Sequence, residues 1–394
     1  MKTTLKSLLN LLSNNNNISF EVVFWDGEII RMGPSNPEFI LKFVTKNAAK
    51  RTINAGVLGF GEEYMAGNIT IEGNFRQLLR LGVDDYFQNL KPSLLTKLNT
   101  YLIYIGSLNT IRKSPKNISY HYDRGNDFYK LWLDESMTYS CAYYKNKNDT
   151  LETAQSQKYE HICRKLLLKE NDTLVDIGCG WGGMLIYAAK KYMIRGVGCT
   201  LSEPQYEYAN KKINEMGLAD RVQVLLQDYR NVTGKYDKFV SIGMFEHVGK
   251  KFMPLFMEKA KSLLKLGGAG LLHTIGKERQ APTNAWTRKY IFPGGYVPAL
   301  DEIIRAMGNT GLVPLDVENL RVHYAKTLDE WSKRYEANVD TIRKKFDEKF
   351  VRMWRFFLNG SSAGFLYGDT RLFQILFSNG INNDMPLTRD HIYK

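Results

Sequence analysis

Cysteine is scarce: the 394 residues hold four, Cys141, Cys163, Cys179 and Cys199. Four thiols make no disulfide framework in a chain of this length, and no two are spaced as C-x-x-C, so a zinc ribbon is excluded. Free thiols in a reducing, cytoplasmic compartment are the expectation. No window approaches the ~20 apolar residues that span a bilayer. The stretch Met1–Ser13 has Leu5, Leu8, Leu9, Leu11 and Leu12, but Lys6 interrupts it and no small-residue cleavage site follows. It reads as a short amphipathic helix and not as a signal peptide. Acidic residues are outnumbered, 41 against 54 basic, and the net charge of +13 favours an anionic partner, nucleic acid or a phospholipid surface. No internal repeat is present. What the chain does have is 44% hydrophobic residues, enough for a sizeable core and, at this length, for two domains.

The first segment, residues 1–109, reads as an α+β module. Phe20–Trp25 and Ile29–Met32 are expected strands around an Asp26-Gly27 turn. Pro37–Val44 and Asn74–Leu81 read as helical, Asn68–Glu72 alternates, and Asn14–Asn17 reads as a loop. A basic stretch with Pro115 places a linker at 110–118. Residues 119–394 form the second domain. Asp149-Thr150-Leu151-Glu152 resembles a capping box with Asp149 as the cap, opening a helix to about Leu168. Strands at Leu174–Ile177, Gly196–Thr200, Val222–Leu226, Lys238–Ile242 and Gly270–Ile275 alternate with helices at Met184–Tyr192 and Gln205–Met216. That alternation predicts a doubly wound, Rossmann-like α/β sheet, which takes ligands at the carboxyl ends of its strands.

Val175-Asp176-Ile177-Gly178-Cys179-Gly180-Trp181-Gly182-Gly183 runs from a strand through a glycine-rich turn into a helix. Backbone can approach a ligand closely there, at an electropositive helix start. Gly178, Gly180 and Gly183 also satisfy the dinucleotide pattern G-x-G-x-x-G. A dinucleotide site, however, wants an acidic residue at the end of the second strand, where this chain has Cys199-Thr200-Leu201. With Asp176 two residues ahead of the first glycine, the turn resembles motif I of S-adenosylmethionine-dependent methyltransferases. Gln227-Asp228-Tyr229 follows the third strand, where such folds present a carboxylate to adenine. The fourth strand ends in Ile242-Gly243-Met244-Phe245-Glu246-His247, without the Asn/Asp-Pro-Pro-aromatic stretch often used to hold a flipped base. Nucleic acid is therefore not the expected partner.

Further motifs narrow the resemblance. Tyr120–Phe128, Leu133-Asp134, Met137–Tyr143, Met244–Gly249, His273–Gly276, Lys289–Gly295 and His323–Leu328 closely resemble the cyclopropane-fatty-acid synthases. Phe60–Gly67 and Ile71–Gly73 look like the amino-terminal, lipid-contacting domain of the longer bacterial members. The resemblance implies transfer of a methylene from S-adenosylmethionine to the cis double bond of an unsaturated phospholipid acyl chain. A methyl-branched product is the alternative. It also implies peripheral membrane association, a possible homodimer, and a bound bicarbonate ion as proton acceptor.

Matched to the family's motifs, Cys141, Glu246, His273, Ile275 and Tyr324 fall at positions lining the reaction centre and holding that ion. Tyr139, Ser140, Asp176, Gly178, Cys179, Gly180, Trp181, Gly182, Thr200, Leu201, Gln205, Asp228 and Tyr229 fall at cofactor positions; no metal is implied. Pro204 replaces a Glu common in relatives, and Pro suits a first helical turn. Ser361 stands where many relatives carry a cysteine, so a nucleophilic thiol there is ruled out. Lys333–Arg355 carries eight basic and four acidic residues interleaved with Phe346, Phe350, Met353 and Trp354. A core-packed helix with a solvated face is the preferred reading of it.

Overall fold

The structure, a computed structural model, describes residues 1–83 and 124–393. The expected linker at 110–118 and the motif residues 120–123 lie outside the described residues. In chain order come helix α1 (Lys2–Asn16), strands β1 (Phe20–Val23), β2 (Ile29–Met32) and β3 (Phe39–Phe43), helix α2 (Lys46–Met65), strand β4 (Ile69–Gly73) and helix α3 (Phe75–Gly82). Then follow α4 (Asn126–Lys130), α5 (Leu151–Lys165), β5 (Thr173–Ile177), α6 (Gly183–Tyr192), β6 (Arg195–Thr200), α7 (Glu203–Glu215), β7 (Val222–Leu226), β8 (Tyr236–Ile242), α8 (Met253–Leu263) and β9 (Leu264–Lys277). The remainder carries α9 (Ala285–Tyr290), α10 (Leu300–Thr310), β10 (Leu312–Asn319), α11 (Arg321–Ala337), α12 (Val339–Lys345), α13 (Glu348–Tyr367), β11 (Thr370–Asn379) and α14 (Asp390–Tyr393).

Two compact units result, and neither is contiguous in sequence. One takes Met1–Leu108, of which residues 1–83 are described, with Thr283–Pro293 and Leu328–Asp369. Its sheet has the order β2-β1-β3-β4. The sequence reading put all of 119–394 in one domain, whereas 283–293 and 328–369 pack with the amino-terminal segment. The reason is local: Gly61 on α2 has no Cβ, and a Cβ there would lie 2.6 Å from the Trp286 ring of α9. Arg352 of α13 also donates to the carbonyls of Tyr64 and Ile69, at 3.0 and 3.3 Å. The Lys333–Arg355 stretch, expected as one helix, is divided among the end of α11, α12 and the start of α13; the expected core face is there on α13, which buries Val351, Met353 and Trp354.

Three local expectations are corrected. Residues 39–43 form a strand and not a helix, because Phe39, Leu41 and Phe43 are buried with period two. Asn14–Asn16 finish α1, and only Asn17, in the left-handed region at φ 51°, terminates it. The cap of α5 is Thr150, whose hydroxyl accepts from the Thr153 N–H at 3.2 Å; Asp149 instead accepts from the Asn146 N–H at 2.8 Å.

The other unit holds a seven-stranded sheet in the order β10-β11-β9-β8-β5-β6-β7. Strands β5 to β9 are mutually parallel, and β11 runs antiparallel to both β9 and β10. This is the expected Rossmann-like methyltransferase sheet. Both faces are covered, so neighbouring residues on one strand serve different cores. Leu174 packs with Ile162, Leu185 and Ala209, whereas Val175 packs with Phe239, Phe256 and Ile303. After β5 the chain winds outward through β6 and β7, then returns to place β8 on the other side of β5. The reversal opens a crevice at the carboxyl ends of β5 and β8, where such sheets bind ligands.

Gly270 of β9 pairs with Phe377 of β11, and a Cβ there would lie 2.4 Å from the buried Phe377 ring. Gly270→Ala is expected to destabilise this unit by about 1–3 kcal/mol, read as a lowered denaturation midpoint. An unchanged midpoint would show that the ring repacks without strain.

Candidate active site

A cleft of about 1120 Å³, including its solvent-open mouth, lies at that crevice. Its floor is the glycine-rich turn between β5 and α6. Gly178 has φ +81°, and a Cβ there would meet the Met244 side chain at 2.5 Å, so glycine is required on both counts. The turn is held down by the N–H groups of Gly178 and Cys179, which donate to the Cys199 carbonyl at 3.1 and 3.0 Å. On one wall Trp181 Nε1–H donates to Asn126 at 2.8 Å. On the opposite wall the Thr200 hydroxyl bonds Gln205 at 2.7 Å. Asp228 Oδ1 accepts from the Arg230 N–H and Nε at 3.0 and 2.7 Å and Oδ2 accepts from its Nη2, which leaves a lone pair on Oδ2.

Of the thirteen cofactor positions read from the sequence, twelve line this cleft: Tyr139, Ser140, Asp176, Gly178, Cys179, Gly180, Trp181, Thr200, Leu201, Gln205, Asp228 and Tyr229. Gly182 does not. It caps α6 at φ +81°, packed against Ala209, and Gly183 faces the cleft in its place.

None of the five reaction-centre positions lines this cleft; they fall into two sets. Glu246 sits in a short 3₁₀ turn after β8 and accepts from the Ile275 N–H of β9. His273 is two residues before Ile275 on β9, its carbonyl accepting from the Gly243 N–H at 2.8 Å. The second set is Cys141 and Tyr324. Cys141 lies in the irregular segment 137–144, and Tyr324 in the first turns of α11. The segment is stitched to that helix by Ala142 N–H donating to Thr327 and Tyr144 N–H to His323 Nδ1, both at 3.0 Å. Lys158 and Glu318 act electrostatically on both Cys141 and His273.

Burial dominates the electrostatics. It pushes the Glu246 carboxyl up to about 7 and holds His273 well below the usual histidine range. It raises Cys141 far enough that the group is a thiol and not a thiolate. Among the reaction-centre residues Glu246 Oε2 and His273 Nε2 are buried without a partner within the protein, and so is Asp176 Oδ1 on a cleft-lining residue. Unpaired buried polar atoms cost about 1–3 kcal/mol each, a cost that a bound ligand can offset.

Sequence reasoning missed Lys158, which lines the cleft with 1% of its surface exposed. Its ammonium donates to the Ser140 hydroxyl at 3.0 Å, and burial pulls its pKa down to about 7. Asp176, pushed up to about 7, feels that charge. The available signal was periodicity: Ala154, Lys158 and Ile162 share one stripe of α5, and a lysine on an apolar stripe demands a reason.

Residues 109–375 match the family described as mycolic acid cyclopropane synthetase, and residues 7–91 match a domain family of unknown function. The chain is 35% identical over 382 residues to a probable fatty acid methyltransferase of Pseudomonas putida, covering 94% of this chain and 95% of that one. It is 36% identical over 358 residues to the cyclopropane-fatty-acyl-phospholipid synthase of Escherichia coli K12, covering 90% and 89%. Among solved structures, mycolic acid cyclopropane synthase CmaA1 complexed with SAH and CTAB aligns with a TM-score of 0.64 at 33% identity, over 67% of this chain and 98% of that one. The glycine-lined floor and the unpaired Asp176 oxygen suit S-adenosylmethionine as cofactor. Lys158→Met is expected to weaken SAH binding about ten- to a hundredfold, measured by titration calorimetry, because Ser140 and Asp176 lose their charged neighbour. Unchanged affinity would detach Lys158 from cofactor binding. The family match runs over well more than half of the sequence, and with it the chain belongs to the mycolic acid cyclopropane synthetase family and is an S-adenosylmethionine-dependent methyltransferase.

Proposed function

We propose that this methyltransferase acts on membrane lipid, adding a methylene across the cis double bond of an unsaturated phospholipid acyl chain to form a cyclopropane. The observation that carries the reading is the buried, partnerless pair Glu246 Oε2 and His273 Nε2 at the adjoining ends of β8 and β9. Methyl transfer to the double bond leaves a carbocation, and closing the ring requires that the new methyl give up one proton to an acceptor held beside it.

S-adenosylmethionine, held by the cleft residues, supplies an electrophilic methyl group. Bicarbonate, held by Glu246, His273 and the Ile275 segment, would supply the proton acceptor, with Cys141 and Tyr324 completing its surroundings. The residues present fit that ion: a neutral His273 offers an N–H to an oxyanion, and Glu246 accepts from a hydroxyl or, as the acid favoured by burial, donates to an oxygen. The Cys141 thiol is un-ionised and the imidazole is held by Gln374, so neither is placed to act as a strong base.

The chain's residues also answer the weakness of an isolated alkene as a nucleophile. Tyr139, on the cleft wall, packs with Tyr129 and Trp132 at ring separations of 5.6 and 5.3 Å, and Tyr129 packs with Trp181 at 5.2 Å. Of this cluster Tyr139 and Trp181 line the cleft, where their faces would exclude water and stabilise positive charge as it develops on carbon. Holding the double bond in line with the methyl lowers the barrier by up to about 7–11 kcal/mol. The net charge of +13 supports docking on an anionic bilayer, and among the described residues no helix is long and apolar enough to cross one.

A second reading, a fatty-acyl methyltransferase giving a methyl-branched chain, is favoured by the likeness to the Pseudomonas putida protein. One assay separates the two: incubation with methyl-labelled cofactor and vesicles of unsaturated phospholipid, followed by mass spectrometry and proton NMR of the released chains. High-field cyclopropyl protons with loss of the double bond are expected. A labelled but open branched chain overturns the ring-forming reading, and no label in lipid overturns both. Glu246→Gln is expected to lower turnover by about 10²- to 10⁴-fold while SAH affinity stays within about twofold. A parallel loss of SAH binding would instead place Glu246 with the cofactor.

A further inference from the structure

His273 faces one side chain across the sheet. In the antiparallel pairing of β9 with β11 its register partner is Gln374, and Gln374 Nε2 lies 3.2 Å from His273 Nδ1. Both are buried, at 1% and 0% exposure, so water cannot take over either role. An amide nitrogen can only donate, and Nδ1 therefore accepts with its lone pair. In the orientation seen, one amide N–H is spent on Nδ1 and the Oε1 carbonyl finds no partner.

The ring is neutral. Burial disfavours its charged form, and Lys158, Lys165 and His161 on α5 oppose protonation while Glu318 on β10 favours it. A neutral imidazole has one N–H, so with Nδ1 occupied as an acceptor the proton belongs on Nε2, the atom that has no partner within the protein.

We propose that Gln374 is a positioning residue that locks His273 in the Nε2–H tautomer, making the buried imidazole a hydrogen-bond donor toward the reaction centre and not a base. The role of that centre rests on the function proposed above, but the lock itself does not. Gln374 touches no reacting group; it acts through His273, as a carboxylate or carbonyl behind a catalytic histidine does elsewhere. It also explains a polar residue at the middle of β11, between Phe373 and Ile375 in the core.

The test is the histidine tautomer in the full-length protein labelled with ¹⁵N at histidine, read from long-range ¹H–¹⁵N correlations. Among six histidines the signal of His273 is assigned by its disappearance in His273→Gln. The wild type is expected to show a bare Nδ1 and a protonated Nε2. In Gln374→Glu the carboxylate accepts instead of donating, so the pattern is expected to reverse, with Nδ1 protonated. In Gln374→Leu, which matches the size but bonds nothing, both tautomers are expected.

Turnover of Gln374→Glu is expected to fall by about 10- to 100-fold with SAH affinity unchanged within about twofold. A protonated Nδ1 in the wild type overturns the proposal, and so does a wild-type pattern that persists in both variants. The wild-type spectrum decides even where a variant fails to fold. Because it requires neither lipid nor anion, a failed lipid assay with the expected tautomer would overturn the proposed function and leave the lock standing.

Discussion

Residues 137–144 belong to no helix or strand, yet all but Tyr139 and Tyr143 are buried, so every backbone group there needs a partner from elsewhere. Helix α5 supplies part of them. Gln155 donates to the Ser140 carbonyl at 3.0 Å, the Tyr159 hydroxyl bonds Thr138 at 2.6 Å, and the Ala154 carbonyl accepts from Tyr143 N–H at 3.0 Å. Asp134 holds the start of the segment through the Thr138 N–H at 2.9 Å, and Thr327 and His323 hold its far side. The segment carries Tyr139 and Ser140 into the cleft and Cys141 beside it. Its conformation, and with it the site, depends on α5, Asp134 and the start of α11 together.

That arrangement puts charge in an unusual place. Lys158, Asp176, Glu246 and His273 are buried and shifted toward their neutral forms, a costly state for a free protein. Stability elsewhere offsets it: two apolar cores sandwich the sheet, and the pairing of β9 with β11 extends over nine residues. A rigid frame around underpaired polar groups is what a site needs if its ligands are to complete the hydrogen bonding. The order of β11 between β9 and β10 matters here for a specific reason. The register of β11 against β9 sets Gln374 opposite His273.

Legibility followed the range of the interaction. The alternation of strands and helices from residue 149 onward and the glycine turn at 178–183 were readable because each is a local pattern with a steric or periodic cause, whereas Tyr139–Cys141 was reached only through its resemblance to a family motif. Residues 39–43 were misread because an apolar run of five fits either period until its burial is known. Asp149 and Thr150 both offer a capping oxygen, and only the turn geometry at Asn146 decides between them. Gly182 and Gly183 are adjacent and chemically identical, so which one faces the cleft is a matter of helix phase. Lys158 left a faint mark, a charge on an apolar stripe, whereas Gln374 left none, since a glutamine in a strand has no pattern of its own.

Composition, periodicity and short motifs thus determined the sheet class, the glycine cradle and the chemistry its residue types allow, because those depend on neighbours a few positions apart. The tertiary structure decided which residues 283–293 and 328–369 join, how Glu246 meets Ile275, and what stands behind His273. Each of these links residues that backbone geometry brings together across 29 to 288 positions, as between Tyr64 and Arg352. No local rule encodes such pairs; they exist only once both cores have closed.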